Sequence, residues 1–424
     1  MYFLPATGPG AGVPWKSTGP NPNFYKLELK SPGENLTSQL SVPNGISGVT
    51  AVDVNGDDVA DYVYAGDRFG NVWKIDVTSA SPGNWASAFG SAGAPLPLFT
   101  AKDASGNRQQ ITTGFSAVPN PNGGYIINFG TGSWVDIQDA VGPYTTVDSL
   151  YGIWDTMASS EVPISSRALL QQQEPLAHVT IDSTGTVTGL CSAGDPNCYV
   201  VQSNCSVNYG STAVATNAGN LCPSSIAHGN SQGTQYGWFM DYVGTGERTR
   251  STVPLVNGGV ITVQSVTPSP NPCTGNTIGM EYQVSALTGG EPALPVYIVS
   301  SGNTQSVSLP LADLGISGGA SIQINPSGQS VAGGASDNPV QFNIRPPSSG
   351  TSSTPVTPCF ANDCNLLNPP IPFYPGWGYA DQLNSKQFYV LACHQPEFGS
   401  GNPVCTLESK QGHYGELSWK LINR

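Results

Sequence analysis

The stretch VTAVDVNGDDVADYVYAGDRFGNVWKIDV, residues 49–77, contains two β-prone runs on either side of a glycine-containing turn. DYVYAG (61–66) and NVWKIDV (71–77) are rich in aromatic and β-branched residues, which favour strands. Similar short runs recur along the chain, and clusters of Gly, Pro and Asn separate them. Only residues 161–176 predict a helix, which Pro175 would end. The sequence therefore predicts an all-β fold.

Oxygen-bearing side chains are concentrated in DVNGDDVAD (53–61). They occupy positions 1, 3, 5 and 9 of this loop and belong to Asp53, Asn55, Asp57 and Asp61. Such spacing turns successive oxygens toward one hard cation, as in calcium loops, and Gly56 supplies the free backbone of a tight turn. Asp, Asn and Gly are also the usual residues of polar surface turns. The apolar run directly after the loop favours calcium over a plain turn.

The composition is typical of a chain outside a reducing cytoplasm. Charged residues are only 10%, and 51 Gly and 36 Pro favour turns over long helices. Nine cysteines indicate disulfides and hence a secreted or periplasmic setting. The net charge of -13 argues against nucleic acid or an anionic membrane as a partner, and no apolar run approaches the length of a membrane span. The first residues lack the basic and apolar regions of a signal peptide, which predicts a piece of a longer or processed protein.

Weak internal repetition favours a β-propeller over a β-sandwich. AGDRFGNVWKIDV (65–77) and TIGMEYQVSALTGG (277–290) each combine a glycine-containing turn with an aromatic strand, and NFGTGSWVDI (128–137) repeats part of this plan. Propeller blades alternate strands and tight turns in this way. Aromatic strands after glycine turns also occur in other β-rich chains. Because few units are visible, a complete and an incomplete ring both stay open.

Residues 300–376 differ from the rest, because short strand-like pieces are set in Ser, Gly and Pro. Alternating apolar residues predict an inserted or accessory β segment. We expect this segment to be a surface excursion from the main fold. The predicted division is therefore residues 1–299 for propeller blades with the calcium loop, 300–376 for the insertion, and 377–424 for C-terminal strands that complete the propeller.

The cysteines predict disulfides that close short loops. The shortest-loop pairings are Cys191 with Cys198, Cys205 with Cys222, Cys359 with Cys364, and Cys393 with Cys405, which leaves Cys273. Connectivity cannot be read from a sequence, so these pairings are one possibility among many. A metal cluster is the rival interpretation, but the cysteine run lacks a fourth ligand at a familiar spacing.

Several motifs resemble, in order along the chain, those of the type IV pilus tip adhesins of the PilC/PilY type. They are the stretch 49–77, NFGTGSWVDIQD (128–139), SLYGIWD (149–155), GWFMDYVGTGERTRSTVPLVNGGVITVQSVTPSPNPC (237–273), LTGG (287–290) and GELSWKLI (415–422). The combination is specific, whereas each piece alone is weak. The matches lie mostly before residue 290.

The resemblance implies a modified, quinoprotein-like β-propeller that binds calcium. The implied ligands are the side chains of Asp53, Asn55, Asp57 and Asp61 and the main-chain oxygen of Val59. The implied roles are pilus assembly, opposition to retraction, and adhesion to surfaces or host cells. The implied partners are minor pilins at the pilus tip and a host-cell or surface receptor. The implied location is extracellular, at the pilus tip or outer surface of a Gram-negative bacterium, after export through the periplasm.

Two features depart from that family. Only a short segment precedes the calcium loop, where the family has several blades, and the long adhesive N-terminal region is absent. The resemblance therefore assigns no adhesive site to this chain.

An enzyme is the alternative function, either a secreted propeller of the quinone-dependent dehydrogenase type or one acting on glycans. The sequence has no adjacent cysteine pair of the dehydrogenase kind, and AGDRFGNVW (65–73) is not spaced as a sialidase Asp box. No nucleophile elbow or phosphate loop is present, and the histidines lack any paired zinc spacing. They are His178, His228, His394 and His413. We predict that the chain is not an enzyme, does not bind nucleic acid and does not insert into a membrane.

Overall fold

A computed structural model provides the fold. It describes residues 1–3, 24–30, 43–135, 139, 147–182, 184–195, 198–210, 213–214, 221–230, 233–250, 255–257, 259–268, 278–293, 295–300, 303–304, 307–310, 321–331, 340–344, 386–394 and 404–412. These residues include no α-helix, and short 3₁₀ helices span Pro82–Asn84 and Arg167–Leu169. Within the same residues, no helix is long and apolar enough to cross a membrane. The predicted all-β class is confirmed.

The stretch 49–77 forms the centre of the first sheet. Strands are numbered in chain order, and a short pair, β1 (Tyr2–Phe3) and β2 (Tyr25–Lys26), packs beside this sheet. The sheet contains β3 (Ile46–Val52), β4 (Tyr62–Asp67), β5 (Asn71–Asp76) and β6 (Ala86–Ser87) in that order, with β9 (Phe99–Thr100) also paired to β5. β4 and β5 are buried on both faces, because Tyr64 and Val72 join one core while Val63 and Trp73 join another.

The second sheet is built from three of the motifs. Its spatial order is β10 (Ser116–Pro119), β11 (Tyr125–Gly130), β12 (Ser149–Asp155), β19 (Gly237–Asp241) and β13 (Gln171–Gln173). β13 runs parallel to β19, and the other pairs are antiparallel. The motifs at 128–139, 149–155 and 237–273 thus become neighbours through β11, β12 and β19.

The third sheet collects strands from distant parts of the chain. Its order is β15 (Val187–Leu190), β14 (Pro175–Ile181), β16 (Cys198–Gln202), β28 (Gly328–Val331), β23 (Ile278–Ser285), β22 (Val260–Thr267) and β20 (Arg248–Thr249), and β21 (Leu255–Asn257) also pairs with β22. All of these pairs are antiparallel.

The remaining strands form small antiparallel groups. They are β7 (Phe89–Ser91) with β8 (Ala94–Leu96), β17 (Val207–Asn208) with β18 (Ala213–Val214), β24 (Ile298–Ser300) with β25 (Asn303–Thr304), β26 (Val307–Pro310) with β27 (Ser321–Ile324), and β29 (Val340–Ile344), β30 (Lys386–His394) and β31 (Val404–Gly412) together.

The second sheet lies between the first and the third, because its strands send alternate side chains into two cores. On β12, Tyr151 faces the first sheet and packs on Phe99, with ring centroids 5.5 Å apart. Its neighbour Leu150 faces the third sheet and shares a core with Ile261 and Tyr282. Antiparallel sheets packed face to face in series are the arrangement of neighbouring propeller blades.

The helix predicted over residues 161–176 is wrong. This segment contains only the 3₁₀ turn Arg167–Leu169, which Ser166 caps by accepting a hydrogen bond from the Ala168 N–H. β13 and the start of β14 follow that turn. Pairing of β13 with β19 buries two of its three glutamines, and such tertiary pairing overrides a weak local preference for helix.

Part of the described region of residues 300–376 belongs to the third sheet or packs against it. β28 lies between β16 and β23, and Val307, Leu309 and Ile324 are buried in a core shared with β14 and β16. A surface excursion therefore does not describe these residues. The division at 299/300 and 376/377 itself stays a prediction.

Candidate metal centre

The acidic loop connects β3 to β4 at the surface of the first sheet. Its two ends are tied to each other, because the Asp61 N–H donates to the Val52 carbonyl at 2.9 Å. The Val77 N–H in turn donates to the Asp61 carbonyl at 2.9 Å, which fixes the loop to the end of β5. The loop thus starts and ends at positions held by the sheet.

The predicted ligand side chains all turn toward the backbone of their own loop. Oδ1 of Asp53 accepts the Gly56 N–H at 2.7 Å, and its Oδ2 accepts the Asp58 N–H at 2.8 Å. Asn55 and Asp57 each accept the N–H two residues further on, at 2.9 Å in both cases. Desolvation acts to raise the pKa of Asp53, but the backbone N–H donors of Gly56, Asp58, Asp57 and Asn55 together hold it below the ordinary value. The donors therefore favour the charged carboxylate.

Two residues of the loop have a left-handed backbone conformation. The sixth position of such loops usually holds glycine, because a sharp turn is needed there. In this chain the sixth position is Asp58, whose φ is 65°, and Gly56 has a φ of 77°. Asp is one of the few side chains that adopt a left-handed conformation readily. The non-glycine residue at position six is therefore compatible with the turn.

The oxygen set fits a hard divalent cation. Asp61 closes the loop, because its Oδ2 accepts the Val54 N–H at 2.8 Å and its Oδ1 lies 3.5 Å from the Asn55 amide nitrogen. Val59 is 62% exposed, and its main-chain oxygen is the ligand it can offer, because its side chain is a hydrocarbon. Carboxylate, amide and main-chain oxygens are the ligands calcium takes. The structure therefore brings all five predicted residues into one loop.

The loop lies beside the second sheet as well as on the first. Burial raises the pKa of Tyr125, at the start of β11, and the negative charges of Asp53 and Asp61 raise it further. Tyr125 is the register partner of Asp155 at the end of β12. The acidic loop thus sits at the junction between the two sheets.

A buried ionic cluster, here called the seam cluster, holds that junction together. It comprises Lys74 of β5, Asp155 of β12, Glu161 and Tyr64 of β4. The Lys74 ammonium lies 2.8 Å from Asp155 and 3.1 Å from Glu161, and its side chain is 5% exposed. Tyr64 donates its hydroxyl to Asp155 at 2.6 Å, and the Thr156 N–H donates to Glu161 at 2.7 Å. Two carboxylates thus share one ammonium.

The sequence interpretation missed the seam cluster, because its charged members lie 81 and 87 residues apart in the chain. A lysine in a strand that is otherwise apolar, NVWKIDV, was the available signal. Asp67 in AGDRFGNVW, set aside above as an Asp box, has a structural role: its carboxylate accepts the N–H groups of Phe69 and Asn71 and the Trp73 indole N–H, each at 2.9 Å.

A second group of possible metal ligands is occupied by a disulfide. Ligand atoms of Cys205, Cys222 and His228 lie within 4.8 Å of one another. Cys205 and Cys222 are joined to each other, so neither sulfur is a free thiolate. The His228 Nδ1 lies 3.1 Å from the Gln171 side-chain oxygen. This histidine therefore has a structural partner, as do the two cysteines.

Two of the four predicted disulfides are present, namely Cys191–Cys198 and Cys205–Cys222. The predicted hairpin at the C-terminal end is confirmed by β30 and β31, in which Cys393 is the register partner of Cys405. The side chains of that pair, and Cys273, Cys359 and Cys364, lie outside the described residues. The motif GELSWKLI (415–422) lies outside them as well.

Stacked antiparallel sheets with an acidic loop on the first define a propeller-type protein with a candidate calcium site. Residues 33–188 match the family model of the PilY1 beta-propeller domain. The chain is 29% identical over 282 residues to the type IV pilus biogenesis factor PilY1 of Pseudomonas aeruginosa strain PAO1, a match that covers 62% of this chain and 22% of that protein. It is 29% identical over 273 residues to a PilY1 homolog of Xylella fastidiosa, covering 62% of this chain and 16% of that protein.

A solved structure supports the same relationship. The crystal structure of the Pseudomonas aeruginosa PilY1 C-terminal domain superposes with a TM-score of 0.52 at 25% identity, covering 76% of this chain and 60% of that one. The predicted resemblance to PilC/PilY-type proteins is confirmed by these matches. The chain spans about a fifth of the length of the curated relatives. These relatives are named for pilus biogenesis and not for a reaction, which supports the prediction that the chain is not an enzyme.

Proposed function

We propose that this chain is a calcium-binding β-propeller module of a type IV pilus biogenesis protein, acting at the pilus tip. The observation that carries the proposal is the loop at 53–61, which lies inside the region that matches the PilY1 beta-propeller domain and presents five oxygen ligands at calcium spacing. The names of the relatives support the pilus part of the proposal.

The loop residues act as a switchable element of the first sheet. Asp53, Asp57, Asp58 and Asp61 put four carboxylates into nine residues, and their mutual repulsion opposes the compact turn. Bound calcium would supply the positive charge that offsets this repulsion, and it would stabilise the ordered loop because it binds that form alone. The side chains that now accept backbone N–H groups would keep the loop in the conformation required for binding.

The position of the loop links this order to a larger surface. The charges of Asp53 and Asp61 raise the pKa of Tyr125 of the second sheet, so the loop, and a calcium ion held in it, would lie beside the junction of the two sheets. A surface composed of both sheets could then dock on minor pilins, and so favour assembly and oppose retraction. Adhesion to a host cell or another surface, and an extracellular location at the pilus tip, belong to the same proposal.

The test is isothermal titration calorimetry with calcium on the wild type and two matched variants. Asp57→Asn removes a ligand charge and should weaken calcium binding at least tenfold. Asp58→Asn removes the same charge one residue away, at a position that is not a ligand and that Asn also tolerates, and should weaken binding only slightly. Equal loss in the two variants would show general electrostatic attraction without a site, and the calcium proposal would fail.

The pilus role is tested in cells of a piliated bacterium whose own copy is replaced by each variant. We expect twitching motility and surface pili to change with Asp57→Asn and to stay unchanged with Asp58→Asn. Lost calcium affinity with unchanged pili and motility would keep the metal site and remove its regulatory role.

A further inference from the structure

A cleft of about 640 Å³ lies on the junction of the first and second sheets. Four segments form its walls: residues 96–106, which include β9 of the first sheet, the segment 163–172 (here called the strap), residues 227–229, and β19 of the second sheet. This volume lies within the range of small-ligand sites. The cleft is separate from the acidic loop, because no residue of 53–61 lines it.

Backbone hydrogen bonds fix the walls relative to each other. The Ile164 N–H donates to the Leu98 carbonyl at 2.8 Å, which joins the strap to the first sheet. The Tyr236 N–H donates to the Leu169 carbonyl at 2.9 Å, which joins the same strap to the segment before β19. The cleft is therefore formed before any ligand arrives, which lowers the entropic cost of binding.

The acidic groups in the cleft are already satisfied. Asp241 accepts a hydrogen bond from the Ser149 hydroxyl at 2.6 Å and pairs with Arg167 at 2.7 Å. Asp103 is 7% exposed, and it accepts the N–H groups of Ser105 and Asn107 within its own turn. Both carboxylates keep their negative charge, but their oxygens already accept hydrogen bonds from neighbouring groups.

The basic groups still have unused capacity. Arg167 lies 3.9 Å over the face of Phe239 and donates one hydrogen bond to Asp241 and one to the Lys102 carbonyl at 2.9 Å. A guanidinium has five N–H donors. The Lys102 ammonium is exposed and has no hydrogen-bond or ion-pair partner within the described part of the chain. Two cations and two carboxylates line the cleft, and Lys102 is the charged group among them that has no side-chain partner within the described residues.

The inner wall of the cleft is apolar. Phe99, Ile164 and Leu170 are buried and line it, and Leu96, 39% exposed, lies at its edge. A ligand that matches this site carries one negative group at the end facing Lys102 and Arg167 and an aliphatic body along the inner wall.

We propose that this cleft binds an organic carboxylate with an apolar body. The planar guanidinium of Arg167 suits a carboxylate, and Lys102 adds the charge that the ligand neutralises. A free carboxylic acid and the C-terminal residue of a polypeptide share this chemistry, and the two sources differ in whether further residues add affinity.

The test uses ligand-observed NMR titration with three probes: N-acetyl-leucine, its neutral C-terminal amide, and inorganic phosphate. N-acetyl-leucine should bind with the millimolar affinity expected of so small a ligand. The amide should bind about tenfold more weakly because it lacks the charge, and phosphate should bind more weakly because it lacks the apolar body. Equal binding of the acid and the amide, or no binding of the acid, would overturn the proposal.

Two variants locate the site. Lys102→Gln changes an exposed side chain that has no partner, so it should fold normally and weaken N-acetyl-leucine binding about fivefold. Lys26→Gln is the control, because Lys26 is an exposed lysine on β2, outside the cleft. Equal effects of the two variants would mean a non-specific attraction and would refute the site.

A longer probe distinguishes a free carboxylic acid from the C-terminus of a polypeptide as the ligand. An acetylated tripeptide ending in leucine should bind more tightly than N-acetyl-leucine if polypeptide C-termini are the ligands, and no more tightly if the ligand is a free acid. Chelation of calcium should leave all of these affinities unchanged, so failure of the calcium proposal and failure of this one give different results.

Discussion

The seam cluster predicts that the protein loses stability as the pH rises through about 6, and Glu161→Gln tests this. Burial and, second to it, the neighbouring Asp155 together raise the pKa of Glu161 from 4.5 to about 6, against the opposing effect of Lys74. The folded pKa is therefore above the unfolded one. A carboxyl group of this kind stabilises the fold below pH 4.5, and this contribution is lost as the pH rises through 6.

The magnitude follows from the size of the shift. A shift from 4.5 to about 6 corresponds to about 2 kcal/mol, and partial solvent screening reduces it to about 1 to 2 kcal/mol. Glu161→Gln keeps the size of the side chain and removes its charge. The free energy of unfolding of the variant, relative to the wild type, should therefore improve by about 1 kcal/mol between pH 5 and pH 8, because part of the contribution is already lost at pH 5.

The measurement is urea unfolding of both proteins at pH 5 and pH 8. Burial also raises the pKa of Asp148 and of Glu291 to about 7, and both groups contribute to the pH dependence of the wild type with the same sign. The quantity to compare is therefore the difference in unfolding free energy between the variant and the wild type at each pH. Their contributions cancel in the difference. If the two proteins change in parallel between pH 5 and pH 8, Glu161 is ionised without penalty and the reasoning is refuted.

Four further outcomes are expected. Lys74→Met should destabilise the fold by about 3 to 5 kcal/mol, because it leaves two buried carboxylates without their cation. Lys26→Met, at an exposed position, should change stability by less than about 0.5 kcal/mol. Thermal unfolding of the two variants and the wild type makes the comparison. Gly289→Ala should be more destabilising than Gly259→Ala by about 1 to 3 kcal/mol. Both glycines have positive φ, but a Cβ on Gly289 would lie 2.1 Å from Trp238, whereas a Cβ on Gly259 would meet nothing within 4 Å. Equal losses of stability in the two variants would argue against the packing explanation. Magnesium should replace calcium poorly at the acidic loop in calorimetry, since it requires a tighter octahedron and keeps its waters. Mass spectrometry without reduction should find Cys393 linked to Cys405 and Cys359 to Cys364, and free thiols at these positions would end that assignment.

Features confined to neighbouring residues could be predicted from the sequence. The all-β class follows from aromatic and β-branched runs between glycine turns, and the stretch 49–77 contains two complete strands with the turn between them. The acidic loop could be located because its oxygens are adjacent in the chain. The disulfides Cys191–Cys198 and Cys205–Cys222 close short loops, so the shortest-loop pairing found them.

The motifs of the resemblance were recognised without their physical reasons, which only the structure provides. A Cβ on Gly130 would lie 1.9 Å from the Thr249 hydroxyl, and one on Gly132 would lie 2.3 Å from Arg248. The glycines of NFGTG therefore make room for residues of GERTR more than a hundred positions later. Spacing along the chain carries no information about such a contact.

Only the tertiary structure decided how distant segments meet. β28 enters the third sheet between β16 and β23, and residues 171–173 form a strand where the sequence predicted a helix. The seam cluster and the cleft lined by Lys102 and Arg167 both lie where the first two sheets face each other. The physical reason is that burial and electrostatic pairing depend on distance in space. Lys74 carries an ordinary positive charge in the sequence, and it becomes the centre of a buried network because β5 packs against the end of β12.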